Sequence, residues 1–170
     1  MSDLDLSNDI PVLYVFVRTM LPSMTPGKAQ AHSGHAASAF GHNMRTNSAY
    51  YFSSIASMYE EWVRSTTYGF GTQINLQADT WDDVLTALDR AMLNPGVVAD
   101  VVLDPTYPFV IDAEIHSVLS QWAEWAGNEL DATPLPDGTY LCVRPECTAA
   151  YIFGRKSQLA DIVGSFRLHP

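Results

Sequence analysis

The sequence predicts an α/β fold, a covered sheet whose strands alternate with helices. Three observations lead there. Residues 11–18 (PVLYVFVR) and 97–103 (VVADVVL) are near-continuous apolar runs, as strands buried on both faces require. Amphipathic helical stretches, 48–64 and 81–92, stand between the strand-like runs. Strands separated by helices are joined by crossovers, and crossovers give parallel pairs.

Taken in order, strand 11–18 leads into a loop over 19–27 that holds Pro22, Pro26 and Gly27. Thr25 before Pro26 predicts an N-cap with proline at the first helical position. The helix expected from Lys28 to about Phe40 carries small residues, Ala29, Ser33, Ala36 and Ala37, that suit close packing on a sheet. Gly34 costs that helix roughly 1 kcal/mol against Ala. A break is expected from Gly41 to Asn47. Residues 48–64 then place Tyr51, Ile55, Met58, Tyr59 and Trp62 on one helical face.

Gly69 and Gly71 mark a turn, after which TQINLQ (72–77) alternates as a half-buried strand does. Asp79 or Thr80 is expected to cap a helix over 81–92, with Trp81, Val84, Leu85, Leu88 and Met92 inward and Asn94-Pro95-Gly96 as its stop. The strand of 97–103 ends at Asp104. A short helix over 114–126 carries Trp122 and Trp125, and 131–138 reads as a loop. A strand over 139–153 is expected to break near Pro145, and a final helix, 156–163, to stop at Gly164. The sequence thus reads as a polar tail at 1–10 and one domain over 11–170, with 113–138 as the candidate insertion. It has no internal repeat.

Composition narrows the function. The chain has 170 residues, 47% of them apolar and 16% charged, which is the composition of a folded domain. The net charge of −10 argues against a broad nucleic-acid surface, and so against DNA, because phosphate binding needs clustered Lys and Arg. The acidic start, MSDLDLSND, lacks the basic and apolar regions of a signal peptide. No apolar run approaches the ~20 residues of a membrane span. A cytoplasmic protein without a membrane role is expected, and a homodimer is left open. Cys142 and Cys147 have no companion ligands at zinc-site spacing. On one strand their odd separation puts them on opposite faces. They are read as reduced thiols, and no metal and no cofactor are expected.

In open sheets, sites gather at the carboxyl ends of strands and at helix N-termini. Lys28 opens a helix and Asp104 closes a strand, so each is a candidate, although a solvated lysine and a turn aspartate are the commoner readings. Lys28, His32 and His35 share a helical face at i, i+4 and i+7. His32 and His35 form H-x2-H without the H-E-x-x-H pattern of a zinc hydrolase, so helix packing is their simpler role. His42, His116 and His169 have no evident partner. No G-x-S-x-G elbow, Walker loop or dinucleotide glycine motif appears.

Several of these segments, taken together, resemble the type 2 peptidyl-tRNA hydrolases. VLYVFVRT followed by PGKAQAHSGHAA is similar to that family's opening strand, Gly-Lys helix start and Ser/Gly-His-Ala-Ala helix. EEW with TQINLQ, then VVADVVLD, then CTAAYIFGRKSQLADIVGSFRL follow in the family's order. The resemblance covers nearly the whole chain outside the tail and residues 113–138. It implies a single three-layer domain with a mixed, mostly parallel four-stranded sheet flanked by helices. It also implies cleavage of the ester between a peptide and the 3′ ribose of tRNA, with peptidyl-tRNA as partner. The family's catalytic Lys, Asp and Thr fall on Lys28, Asp104 and Thr148, and its opening Arg on Arg18. The chain departs from the family at His32, where Gln is usual, and after Asp104, where PTYPF replaces Ala-Gly-Arg-Thr-Gln.

Ester hydrolysis needs an aimed water and a stabilised oxyanion. A carboxyl group titrates near ~3.9 in water, too low for a base at neutral pH. Asp104 is therefore expected to position the water, with Lys28 on the oxyanion or a phosphate and Thr148 holding the water or Asp104 by its hydroxyl. His32 is the candidate proton carrier. Arg18, His35, Arg45 and Arg144 are the candidate substrate contacts. Two other readings keep the fold: a ligand- or protein-binding module, suggested by the rewritten PTYPF loop and the acidic balance, and an esterase or amidase acting on another acyl substrate.

Overall fold

Strand β1 (Pro11–Val17) is buried at all seven positions, and the rest of the architecture follows from its two faces. In the computed structural model, which describes residues 9–21, 23–47, 52–78 and 80–169, β1 is followed by α1 (Pro26–Thr46), α2 (Ser53–Arg64), β2 (Gln73–Gln77), α3 (Trp81–Met92), β3 (Val98–Ile111), α4 (Ala113–Trp125), β4 (Ala132–Pro134), β5 (Tyr140–Arg155), α5 (Lys156–Val163) and β6 (Arg167–Leu168). The sheet order is β3-β5-β1-β2-β6, with β4 against β5.

Side chains alternate across a strand, so β1 divides its apolar residues between two cores. Leu13, Val15 and Val17 join Ala149, Tyr151 and Phe153 of β5 under α1 and α2, where Phe40 and Trp62 are buried. Val12, Tyr14 and Phe16 join Ala150 and Ile152 under α3 and α5. Helices on both faces give the three layers that were expected.

The strand number and directions differ from expectation. Among the described residues the sheet has six strands, not four; the additions, β4 and β6, are three and two residues long. It is mixed, but not mostly parallel in its described ladders. β1 pairs with β2 in parallel, whereas β1–β5, β2–β6 and β4–β5 are antiparallel. The chain returns to β1 through β5, and that arrangement sets the antiparallel direction.

Other boundaries moved for local reasons. Helix α1 does not break at Gly41 but runs to Thr46. Arg45 lies over Gly41, and the Asn43 side-chain amide donates to the Tyr151 hydroxyl at 2.9 Å, which ties the last turns to the sheet. The buried side of α3 is Val84, Ala87, Leu88 and Ala91; Leu85 and Met92, expected inward, are exposed. Strand β3 continues past Asp104 to Ile111, held by the buried side chains of Tyr107 and Ile111. Strand β5 passes through Pro145 without a break, because Pro145 falls between its pairings with β4 and β1. Residues 132–134, read as loop, form β4. The expectations for residues 1–8, Pro22, residues 48–51 and Asp79 lie outside the described residues.

The chain divides into two compact units: residues 103–147 with Leu21 and Ser23, and the remainder. The first unit holds β1, both cores and all helices except α4. The second holds the far part of β3, α4, β4 and the near part of β5, and it contains the whole of 113–138. Inside it, Ser23 Oγ donates to the Pro108 carbonyl at 2.6 Å.

Within the first unit Asp9, two residues before β1, is fastened down. The Asp9 carboxylate accepts from the Ser157 N–H and hydroxyl, each at 2.8 Å, at the start of α5. Arg155 donates to the Asp9 carbonyl at 2.8 Å and forks onto the Glu61 carboxylate. That ion pair raises the pKa of Arg155.

Gly71 is the most constrained turn glycine. Its φ is +60°, and a Cβ there would lie 2.1 Å from the Trp62 ring, whose Nε1–H donates to the Thr72 carbonyl at 2.8 Å. Gly71→Ala should therefore lower stability by about 3 kcal/mol. Gly69→Ala, with its nearest neighbour at 3.5 Å, should cost about 1 kcal/mol. Urea midpoints of the two variants check this order.

Candidate functional site

The first turn of α1 is prepared locally. Thr25 is extended, at φ −100° and ψ 163°, and its hydroxyl accepts from the Lys28 N–H at 3.3 Å. Pro26 supplies a preset φ and has no N–H to satisfy. No acidic residue of the helix itself occupies that turn, and Lys28 adds a positive charge there. This is a place where negative charge is stabilised.

A cavity of about 310 Å³ opens beside that turn, among Gly27, Gln30, Ser33, Asn75, His169 and their neighbours. Its floor is polar because β2 turns Gln73 and Asn75 to the α1 side, opposite Leu13 and Val15 of β1. Ser33 Oγ donates to Asn75 Oδ1 at 2.8 Å. Gln73 Nε2 donates to Ser33 Oγ at 2.9 Å and to Asn75 Oδ1 at 2.8 Å. The His169 N–H donates to the Asn75 carbonyl at 3.0 Å. Two donors on Asn75 Oδ1 fix that amide. These residues were missed in the sequence, although the polar positions of TQINLQ on a face packed by a helix were the signal.

Thr148 lies on β5 beside the carboxyl end of β1, where its carbonyl accepts from the Arg18 N–H at 3.0 Å. It is 0% exposed, and its hydroxyl has no hydrogen-bond partner among the described residues. A buried hydroxyl left without a partner costs stability and is a feature of functional positions. The Arg18 guanidinium sits over the Trp81 ring at 5.3 Å. His32 is 5% exposed and meets the His35 ring edge-on at 5.4 Å, while His35 is exposed.

One expected site residue lies far from Lys28 along its own helix, and two belong to the other unit. Arg45 is seventeen residues past Lys28 on the same helix, about 26 Å along its axis. Arg144 belongs to the second unit, where it pairs with Glu146 at 2.6 Å and covers Phe109 at 4.8 Å. Asp104 also belongs to the second unit. Strand β3 runs through it instead of ending at it, and its Oδ1 accepts from the Thr106 N–H at 2.9 Å.

Among the described residues, no three His, Cys, Asp or Glu side chains gather to hold a metal, and no helix is long and apolar enough to cross a membrane. Neither Cys142 nor Cys147 forms a disulfide among the described residues. Burial, and then the charge of Asp131, push the Cys142 thiol upward, the wrong direction for a nucleophile. The chain matches no protein-family model, and no curated protein matches its sequence.

Thr148→Val should raise stability by about 1 kcal/mol, since it removes an unsatisfied buried hydroxyl. For a chain of this size that shifts Tm by about 3 °C, readable by scanning calorimetry. A fall in Tm would show that the hydroxyl is satisfied in the folded protein.

Proposed function

We propose that the protein is a hydrolase of the peptidyl-tRNA hydrolase kind, cleaving the ester between a peptide and the 3′ ribose of tRNA in the cytoplasm. The observation that carries the reading is Lys28 in the capped first turn of α1, a cation at a helix N-terminus whose neighbours Pro26, Gly27 and Ala29 line the cavity. Resemblance in the order of the segments supports it, and so does the unpartnered hydroxyl of Thr148.

Water attacks the ester carbonyl, and the oxyanion that develops is met by the Lys28 ammonium and the dipole of α1. As the C–O bond to the ribose breaks, the ribose oxygen leaves with a proton and the peptide with a carboxyl group. Thr148 holds the attacking water through its hydroxyl. His32 is the proton carrier in this scheme, and Arg18 and His35 face the tRNA phosphates. Asp104 as the residue that orients the water rests on the resemblance alone.

The acidity of the chain is less of an obstacle than its total suggests. Residues 103–147 hold eight carboxylates and one arginine, a net −7 that leaves −3 of the total −10 for the rest. The unit that carries Lys28 is thus close to neutral. A second reading, a binding module that keeps the fold, is favoured by Asp104, which sits in the other unit with its carboxylate bonded to Thr106.

Hydrolysis of an N-acetylated aminoacyl-tRNA tests the proposal. Wild type should turn over, and Lys28→Ala should lose at least ~100-fold in kcat while keeping the wild-type circular dichroism spectrum. Added salt should weaken KM through lost phosphate contacts. A folded wild type without turnover, or a Lys28→Ala variant at full rate, sinks the hydrolase reading. Asp104→Asn, measured beside them, decides whether that carboxylate takes part.

A further inference from the structure

Helix α4 presents two rows of side chains, one turned to its unit and one apolar and exposed. The inward row is His116, Leu119, Ser120 and Ala123, at i, i+3, i+4 and i+7, all partly buried. His116 stacks on Tyr140 with ring centroids 3.7 Å apart and planes within 12°, which fixes the orientation of the helix in its unit. The other row, Ile115, Val118, Trp122 and Trp125, has spacings of 3, 4 and 3 and faces solvent. Its members are 47, 49, 71 and 91% exposed. Helix α4 has no buried residue at all. A helix that served only to roof its own unit would turn its tryptophans inward; a contiguous exposed row of this kind marks an interaction surface.

The charge around that row selects the partner. No Lys or Arg occurs between Arg90 and Arg144, and Arg144 is paired with Glu146. Asp112, Glu114, Glu124, Glu129 and Asp131 lie on or beside α4. Such a field repels nucleic acid, anionic lipid and a second copy of the same acidic unit, and it attracts a basic protein surface.

We propose that α4 is a docking helix for a basic protein segment, an amphipathic partner whose apolar seam receives Ile115, Val118, Trp122 and Trp125 and whose Lys/Arg residues meet Glu114 at the edge of that row and the acidic field of the surrounding segment. The tryptophans are the anchors, because large aromatics carry most of the affinity in such seams. The acidic rim raises the association rate and rejects acidic competitors. This surface is independent of Lys28 and of the hydrolase reading.

The test uses the full chain and two synthetic 21-residue helical peptides with the same leucine seam, one flanked by Lys and one by Glu. Isothermal titration should show the Lys-flanked peptide binding at least tenfold tighter. The exposed double variant Trp122→Ala/Trp125→Ala should lose at least tenfold of that affinity with its circular dichroism unchanged. Glu114→Lys/Glu124→Lys should bring the preference over to the Glu-flanked peptide. Equal binding of both peptides, indifference to the tryptophan substitutions, dimerisation through α4 in sedimentation without peptide, or adsorption to phosphatidylcholine vesicles in place of the peptide would each overturn the proposal.

Discussion

The two-sided burial of β1 is the constraint on which the rest depends. A strand with seven buried residues needs cover above and below and partners at both edges. The alternation of Val12, Tyr14 and Phe16 with Leu13, Val15 and Val17 assigns one set to the α3–α5 side and the other to the α1–α2 side. Because β2 and β5 flank it, the carboxyl end of β1 lies beside Thr148 and near the loop that leads to α1. The candidate site is thus a by-product of covering one strand. It forms where the apolar run stops and the chain turns to begin a helix.

The fold was legible in the sequence where periodicity or a cap had a single interpretation. PVLYVFV as a doubly buried strand, Thr25-Pro26 as a helix start, and the spans of α3 and α5 were all readable from local chemistry. What failed was non-local. Gly41 looks like a stop until Tyr151, more than a hundred residues on, secures Asn43. Asp104 looks like the end of a strand because Pro105 follows, yet the burial of Tyr107 and Ile111 carries β3 onward. Leu85 and Met92 are apolar and near the right phase, but Ala87 and Ala91 let α3 approach closely and take the inner face.

The site was legible in the same uneven way. Lys28 and Thr148 stand out once the order of segments is read together. The Ser33–Asn75–Gln73 network does not, because each residue alone is an ordinary polar side chain. Only the parallel register of β1 and β2 places two amides beneath the first turns of α1. The charge of the chain misleads when it is taken as one number: the division into two units puts most of it on residues 103–147, and recognition of a polyanion and recognition of a basic protein become separate questions for separate surfaces.

The pairing of β1 with β5 also has a consequence for biosynthesis. Pro11 lies opposite Arg155 and Val17 opposite Ala149, so the most apolar strand of the protein leaves the ribosome well over a hundred residues before its antiparallel neighbour. At about 5–20 residues per second that interval is roughly 7–30 seconds. β2 can pair with β1 earlier, but the other edge of β1 remains open throughout. The nascent chain therefore presents an unpaired, sticky edge for a time set by translation speed and not by folding speed. Slow codons or a stalled ribosome downstream of β2 lengthen that exposure, and a holding chaperone shields it.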